Sequence, residues 1–283
     1  MTRSFILAFL FVLQWTAAQS NLLEDSLYSS SLNSMSKFYI ILPKDYEKNQ
    51  ERFPVMYLLH GLGGDYSNWI KLTNLVRYSD TYRMIIVCPD GKNGWYSNSV
   101  LKKDANYEEH IMKDILPGVE KKYRTIQSKF YRGVAGLSMG GYGAIKFGLK
   151  YPSTFIFAAG ISPSIQFPSG LLDSAIVARW SRTSTTNLRE LFGSQRTDSW
   201  NNDDIFSLVQ RYEHASLPYF YLSTGSQDGI IELPGLTHDL ANAFRTKNIA
   251  FEMHEMPGGH DWKFWDSEIL IVLQRFSEKV GKR

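Results

Sequence analysis

Apolar residues along this chain follow two alternating rhythms. Short runs rich in β-branched and aromatic side chains occur at Lys37 to Leu42, Val55 to His60, Met84 to Cys88, Tyr131 to Leu137, Phe155 to Ile161, Tyr219 to Thr224 and Ile249 to Met253. Their length and flanking turn residues predict strands. Between them apolar positions return every three or four residues, as in Tyr107, Ile111, Ile115, Val119 and Tyr123, in Gly140 to Tyr151, in Leu236, Leu240 and Phe244, and in Ile269, Val272, Leu273 and Phe276. That is the repeat of a helix with one buried face. Strands alternating with helices predict an α/β fold, a mostly parallel sheet with helices on both faces.

No repeat, low-complexity tract or Pro/Ser-rich linker divides residues 20–283, so one domain is expected there. Residues 162–204 break the rhythm. They are rich in Ser, Thr, Asn and Arg, with Trp180, Phe192 and Trp200 scattered among them, and predict a loop-and-helix excursion over the sheet, a candidate lid. Residues 1–19 read differently again. Arg3 precedes an uncharged apolar run from Ser4 to Trp15, and Thr16, Ala17 and Ala18 follow, the pattern of a signal peptide cleaved after Ala18 or Gln19. The run is short for a bilayer span, so a secreted or periplasmic protein with no stable membrane span after cleavage is expected; an uncleaved membrane anchor is the alternative, and either way the folded part is expected outside the cytoplasm.

Charge and composition narrow the picture. The 31 Lys and Arg residues nearly balance 28 Asp and Glu, for a net +3 without a basic cluster, which argues against a nucleic-acid partner. Cys88 is the only cysteine, so no intramolecular disulfide can form, and its place within Met84 to Pro89 predicts a small buried hydrophobe rather than a nucleophile.

Candidate chemistry centres on Gly136-Leu137-Ser138-Met139-Gly140, between a predicted strand and a predicted helix. Gly-x-Ser-x-Gly in that setting is the sequence of a nucleophile elbow: the serine sits on a sharp turn that glycine makes room for, with a helix N-terminus behind it. A serine needs a base and an acid to orient that base, and in this fold type they follow in the order acid, then histidine. Asp228 ends the strand run Tyr219 to Thr224 and its turn, and His260 stands on the glycine-rich loop Pro257-Gly258-Gly259-His260. The order fits. Asp228 could instead serve only its turn before Gly229. Asp203, Asp204 and Asp239 are other acids; the first two stand where a helix begins and the third lies within a helical pattern. His254 falls in a strand, while His110, His214 and His238 fall on helical stretches and are expected at the surface. No spacing of histidines fits zinc, and no cofactor or metal is implied.

An acyl-transfer site also needs donors for a tetrahedral oxyanion. His60-Gly61-Leu62-Gly63-Gly64 follows a strand, so the backbone N–H of Leu62, with Gly61 and Gly63 as alternatives, can pair with that of Met139. His60 is then expected as a structural residue beneath the hole. The 17 Phe, 16 Tyr and 7 Trp residues exceed what a core of this size needs, and several stand beside these motifs. Trp69, Trp95, Tyr96 and Trp262 are candidate substrate-binding residues, able to stack on an aromatic acyl group or a sugar, or else to pack loops.

Together, His60-Gly61 with Gly63-Gly64 and Trp69, Gly136 to Gly141 with Gly143, Tyr151-Pro152 and Phe155, then Asp228, and Gly258-Gly259-His260-Asp261-Trp262 resemble the esterase D or putative esterase family, over about Ser29 to Phe276. The family includes feruloyl, acetylxylan and tributyrin esterases, S-formylglutathione hydrolases and mycolyltransferases. The resemblance implies an α/β-hydrolase fold, a Ser138, Asp228, His260 triad and backbone donors at Leu62 and Met139. It implies a serine esterase that needs no cofactor and acts on a small-molecule or glycan ester, with short-chain acyl, acetyl and feruloyl esters foremost. Transfer to a sugar acceptor, a thioesterase of the S-formylglutathione hydrolase type and a non-catalytic glycan-binding protein are the alternatives.

Overall fold

The computed structural model describes residues 21–211 and 216–281. The expected signal segment and His214 lie outside the described residues. Eight strands form one sheet: β1 (Leu22–Ser29), β2 (Ser34–Ile41), β3 (Val55–Leu59), β4 (Ile85–Pro89), β5 (Arg132–Leu137), β6 (Phe157–Ile161), β7 (Tyr219–Gly225) and β8 (Phe251–Met256), in the spatial order β1-β2-β4-β3-β5-β6-β7-β8. The β1–β2 and β2–β4 pairs are antiparallel and the rest are parallel. All seven expected strands form, within a few residues of their predicted ends. β1 was not legible in the apolar pattern because it is an edge strand, LLEDSLYS, with most of its side chains partly or fully in solvent.

The helices are α1 (Asn68–Leu72), α2 (Leu75–Ser79), α3 (Tyr107–Glu109), α4 (Leu116–Lys122), α5 (Met139–Lys150), α6 (Ser174–Arg179), α7 (Arg182–Phe192), α8 (Ile205–Arg211), α9 (Glu232–Thr246) and α10 (Trp262–Gly281). Every residue of β3, β4, β5 and β6 is buried, as parallel strands covered on both faces must be. Successive side chains alternate between two apolar layers. Val55, Tyr57 and Leu59 join Val119, Phe147, Leu208 and Phe244 from α4, α5, α8 and α9 on one face. Met56 and Leu58 join Trp69, Leu75, Ile269 and Phe276 from α1, α2 and α10 on the other. Cys88 belongs to this second layer, where burial pushes its thiol far above the ordinary range and leaves it inert. Because β3, β5, β6, β7 and β8 run the same way, their carboxyl ends share one edge, where open α/β sheets hold their ligands.

The single helix expected over Tyr107 to Tyr123 is divided. A π-helical turn, His110–Ile115, joins α3 to α4. Pro117, in the first turn of α4, has no N–H to give to a preceding carbonyl, and a widened turn accommodates that. His110, expected at the surface, is instead fully buried. Its Nδ1 lies 2.9 Å from Ser29 Oγ and its Nε2 3.0 Å from Ser36 Oγ. Ser29 Oγ donates to Asp114 at 2.7 Å, so it accepts from Nδ1–H, and Nε2 accepts from Ser36. The imidazole thus pins β1 and β2 to the helical layer in its neutral form. Burial lowers its pKa to about 4, against the opposing pull of Asp114 and Asp90.

This has a measurable consequence. The unfolded chain takes up a proton near His110's ordinary pKa of 6.5 while the folded chain resists it until about 4, so stability is fully present above 6.5 and falls as pH drops through that window. Urea unfolding at pH 7 and pH 5 should show a loss of about 1–2 kcal/mol attributable to this group. His110→Gln should lower stability at pH 7 and narrow the gap between the two pH values. An unchanged gap would refute the assignment.

Candidate active site

The site is built on the turn from β5 into α5. Ser138 adopts φ 50° and ψ −117°, a strained conformation for a residue with a Cβ. Glycine on either side is a steric requirement. A Cβ on Gly136 would lie 2.4 Å from the backbone of Gly140, and one on Gly140 would lie 2.4 Å from Leu59 O and 2.6 Å from His60 O. The turn is therefore pressed against the end of β3. Ser138 N–H donates to Ile161 O at 2.9 Å, and its own carbonyl accepts from Tyr142 and Ser164 N–H groups.

Two more strand ends supply the partners. Asp228, on the turn after β7, is 8% exposed. Its Oδ1 accepts from Ile230 N–H at 2.8 Å and its Oδ2 lies 2.9 Å from His260 Nδ1. The carboxylate thus shapes its turn and engages the histidine at once, so the two roles open in the sequence coexist. His260 stands between β8 and α10. A Cβ on Gly225 would lie 2.3 Å from Gly258 O, and this close approach brings the aspartate and histidine loops together. His260 Nε2 lies 2.9 Å from Ser138 Oγ. With Nδ1–H directed at a carboxylate, Nε2 is the acceptor for the serine proton, an arrangement able to make a hydroxyl nucleophilic. Trp265 meets the His260 ring edge to face, 5.0 Å between centroids, and limits its swing.

The other candidate acids and histidines are engaged elsewhere. Asp204 caps α8 through Ser207 N–H, Asp203 pairs with Lys146, and Asp239 is exposed on α9. His254 contacts Glu252 and stacks on Tyr221, and His238 pairs with Glu255 at the surface.

The loop after β3 faces the same serine. Gly63 N–H donates to Asn93 Oδ1 at 2.8 Å and Gly64 N–H to Gly61 O at 3.1 Å, which leaves Gly61 and Leu62 as the donors available to a ligand. Met139 opens α5, so its N–H has no acceptor within the helix. His60 lies fully buried under this loop: Nε2 accepts from Gly91 N–H at 2.9 Å, so Nδ1–H donates to Gly61 O at 2.8 Å. Tyr96 O–H donates to the carbonyl of the same residue.

A cleft of about 440 Å³ opens over Ser138 and His260. Gly61 to Gly64, Leu72, Leu137, Ile230, Trp180, Trp262 and Trp265 supply much of its wall, and among the described residues no Lys, Arg, Asp or Glu lines it. Trp262 thus stands where the sequence placed it. The other three aromatic candidates do not. Trp69 and Trp95 are 1% exposed and Tyr96 is 0%, out of reach of any ligand. Trp69 donates to Leu59 O and packs on Trp262, while Trp95 packs on Tyr142, Phe167 and Trp180. They shape the wall from behind. Trp180, from the excursion, was not singled out; a half-buried ring at the start of a polar helical stretch gives no local sign of where it docks.

Lys146 was also missed. It lies on α5 and is fully buried, its Nζ 2.8 Å from Asp203 Oδ1, 3.1 Å from Glu108 Oε2 and 2.5 Å from Ser97 Oγ. Burial opposes the charges, yet Lys146 and Lys150 hold the Glu108 carboxyl down to about 2. Among the described residues no three His, Cys, Asp or Glu side chains converge as a metal ion would need.

The sheet order, the serine on its strained turn and the cleft above it define an α/β serine hydrolase. Residues 29–276 match the family described as putative esterase, and the chain belongs to that family as a serine esterase. It is 28% identical over 271 residues to an acetyl esterase of Caldicellulosiruptor saccharolyticus, covering 91% of this chain and 98% of that one. Among solved structures, a ferulic acid esterase superposes with a TM-score of 0.78 at 25% identity, over 93% of this chain and 98% of the other. A fluorophosphonate-binding serine hydrolase of Staphylococcus aureus gives 0.79 at 22%, over 90% and 98%.

The burial difference among the tryptophans separates their roles. Trp95→Ala should cost about 3–5 kcal/mol of stability in urea unfolding. Trp180→Ala, at a half-buried ring, should cost less stability than Trp95→Ala and raise KM for p-nitrophenyl esters several-fold with a smaller change in kcat. The reverse pattern would reverse the assignment.

Proposed function

We propose that the chain is an exported esterase that hydrolyses short-chain acyl or carbohydrate-linked esters, acetyl or feruloyl, through an acyl-enzyme on Ser138. The observation that carries this reading is the unbroken chain of two 2.9 Å contacts from Asp228 through His260 to Ser138, opening into the cleft. Export rests on the apolar run and small residues of the N-terminal segment. Ser138 Oγ attacks the ester carbonyl as His260 Nε2 takes its proton. The carbonyl oxygen, now negative, is held by the N–H groups of Leu62 and Met139. Collapse expels the alcohol, which receives the proton from His260. Water then attacks the acyl group, giving its proton to Nε2, and the acid leaves as the proton returns to Ser138 Oγ. Asp228 fixes the tautomer throughout.

The acetyl and ferulic acid esterases among the relatives support the acyl groups named. The cleft wall supports a neutral ester over an anionic thioester such as a glutathione conjugate, because among the described residues it offers no Lys or Arg to pair with carboxylates.

Purified protein should hydrolyse p-nitrophenyl acetate and react with a fluorophosphonate at Ser138. Ser138→Ala should abolish labelling and lower kcat by about 10⁵-fold or more, and Asp228→Asn should lower it by about 10⁴-fold. Turnover by Ser138→Ala at the wild-type rate would sink the mechanism. Comparing acetyl, butyryl, feruloyl and acetylated-xylan substrates orders the acyl and alcohol preferences.

A further inference from the structure

A second hydroxyl meets the serine. Ser164 Oγ lies 3.2 Å from Ser138 Oγ, and Ser164 is fully buried. Its backbone is tied to the same turn, because Ser164 N–H donates to Ser138 O at 3.1 Å. The segment before it leaves β6 through Ser162 at φ 43° and packs against α5, where a Cβ on Gly141 would lie 3.0 Å from Pro163 Cα. The Ser164 hydroxyl is thus delivered to one place by a fixed backbone. Among the described residues Ser138 Oγ is its only hydrogen-bond partner.

The direction of this bond follows from the rest of the site. His260 Nε2 accepts the Ser138 proton, so Ser138 Oγ is left with lone pairs to offer, and Ser164 O–H is the donor. We infer that Ser164 is a further catalytic residue, which donates to Ser138 Oγ and promotes breakdown of the acyl-enzyme. The inference rests on the reading of Ser138 as nucleophile.

Before acylation the bond holds Oγ in place but draws electron density from the attacking oxygen, two effects of opposite sign. After acylation Ser138 has no proton to give to Nε2, and the bond from Ser164 is the one that remains on Oγ. There it withdraws the oxygen lone pair from resonance with the acyl carbonyl, which makes the carbonyl more open to water. When the tetrahedral intermediate collapses, the bond between Oγ and the carbonyl carbon breaks, the proton from His260 Nε2 moves to Oγ, and the donor stabilises the charge growing there. Deacylation therefore gains where acylation does not.

Stopped-flow kinetics of wild type and Ser164→Ala on p-nitrophenyl acetate test this. For such an ester kcat/KM reports acylation, while kcat reports deacylation once that step limits. In the variant kcat should fall about tenfold, the effect of one hydrogen bond to a partly charged oxygen. kcat/KM and the rate of fluorophosphonate labelling should stay within about twofold of wild type. The variant should show a burst near one equivalent of p-nitrophenol and the same kcat for p-nitrophenyl and phenyl acetate, which share the acyl-enzyme. An unchanged kcat, or kcat and kcat/KM falling together, would overturn the inference. Failure of the underlying reading looks different: the wild type then shows no labelling at Ser138 and no turnover that Ser138→Ala removes.

Discussion

The structure turns on one steric constraint, the passage of the chain from β5 into α5 with almost no room between that turn and the end of β3. Gly136 and Gly140 permit it, because a methyl group on Gly136 would overlap the backbone of Gly140 across the turn, and one on Gly140 would overlap the carbonyls of Leu59 and His60 at the end of β3. The left-handed backbone of Ser138 is held in place by bonds to β6, to α5 and to the segment after β6. Strain of this kind costs about 1–3 kcal/mol and persists only where the surroundings over-determine it. Here they do, since every residue of β5 and its neighbours β3 and β6 is buried. What the strain achieves is exposure of a single hydroxyl above a packed sheet.

Polar groups buried behind the turn extend the same logic. His60 joins the loop after β3 to the loop after β4, through Gly61 O and Gly91 N–H, so the candidate oxyanion donors cannot drift from the serine. Lys146, two helix turns into α5, gathers Glu108 from the β4–β5 connection and Asp203 from the excursion. A buried ion pair is weak evidence for net stability, but removing one partner leaves an uncompensated charge costing about 3–5 kcal/mol. Its effect is to fix where these two segments meet α5.

Sequence alone made the frame and the candidate site residues legible because both depend on local rules. Strand runs, helical spacing and the glycines around Ser138 and His260 each state a backbone requirement within a few residues. Asp228 was readable from its place at a strand end. What escaped depends on contacts distant in the chain. β1 has no apolar run of its own, and His110 looks like a surface residue until Ser29 and Ser36 close over it. Trp95 and Tyr96 stand beside the right motif, but both have left-handed backbones, φ 51° and 50°, and their rings are buried. Adjacency in sequence told where the loop is and not which way its side chains face. Ser164, in an unremarkable Ser-Pro-Ser, reaches Ser138 only because β6 lies next to β5.

The excursion enters the cleft through few residues. Most of residues 162–204 pack away from the serine: Phe167, Leu188, Leu191, Phe192 and Trp200 are all buried in the layer that α5 and α9 cover. Trp180 alone of this stretch lines the cleft. It is held from behind by Trp95 and Phe167, and from the side by the Arg179–Glu232 ion pair, which ties the end of α6 to the start of α9. Ile230, which also lines the cleft, belongs to the turn that Asp228 shapes through Ile230 N–H. Trp180 and Ile230 are therefore linked through the Arg179–Glu232 pair, and Ile230 in turn to the carboxylate that contacts His260. The width of the cleft and the placement of His260 are set by one connected group of residues. A change in Trp180 alters the cleft wall and leaves the Asp228–His260 contact in place, whereas a change in Asp228 disturbs both the Ile230 turn and that contact.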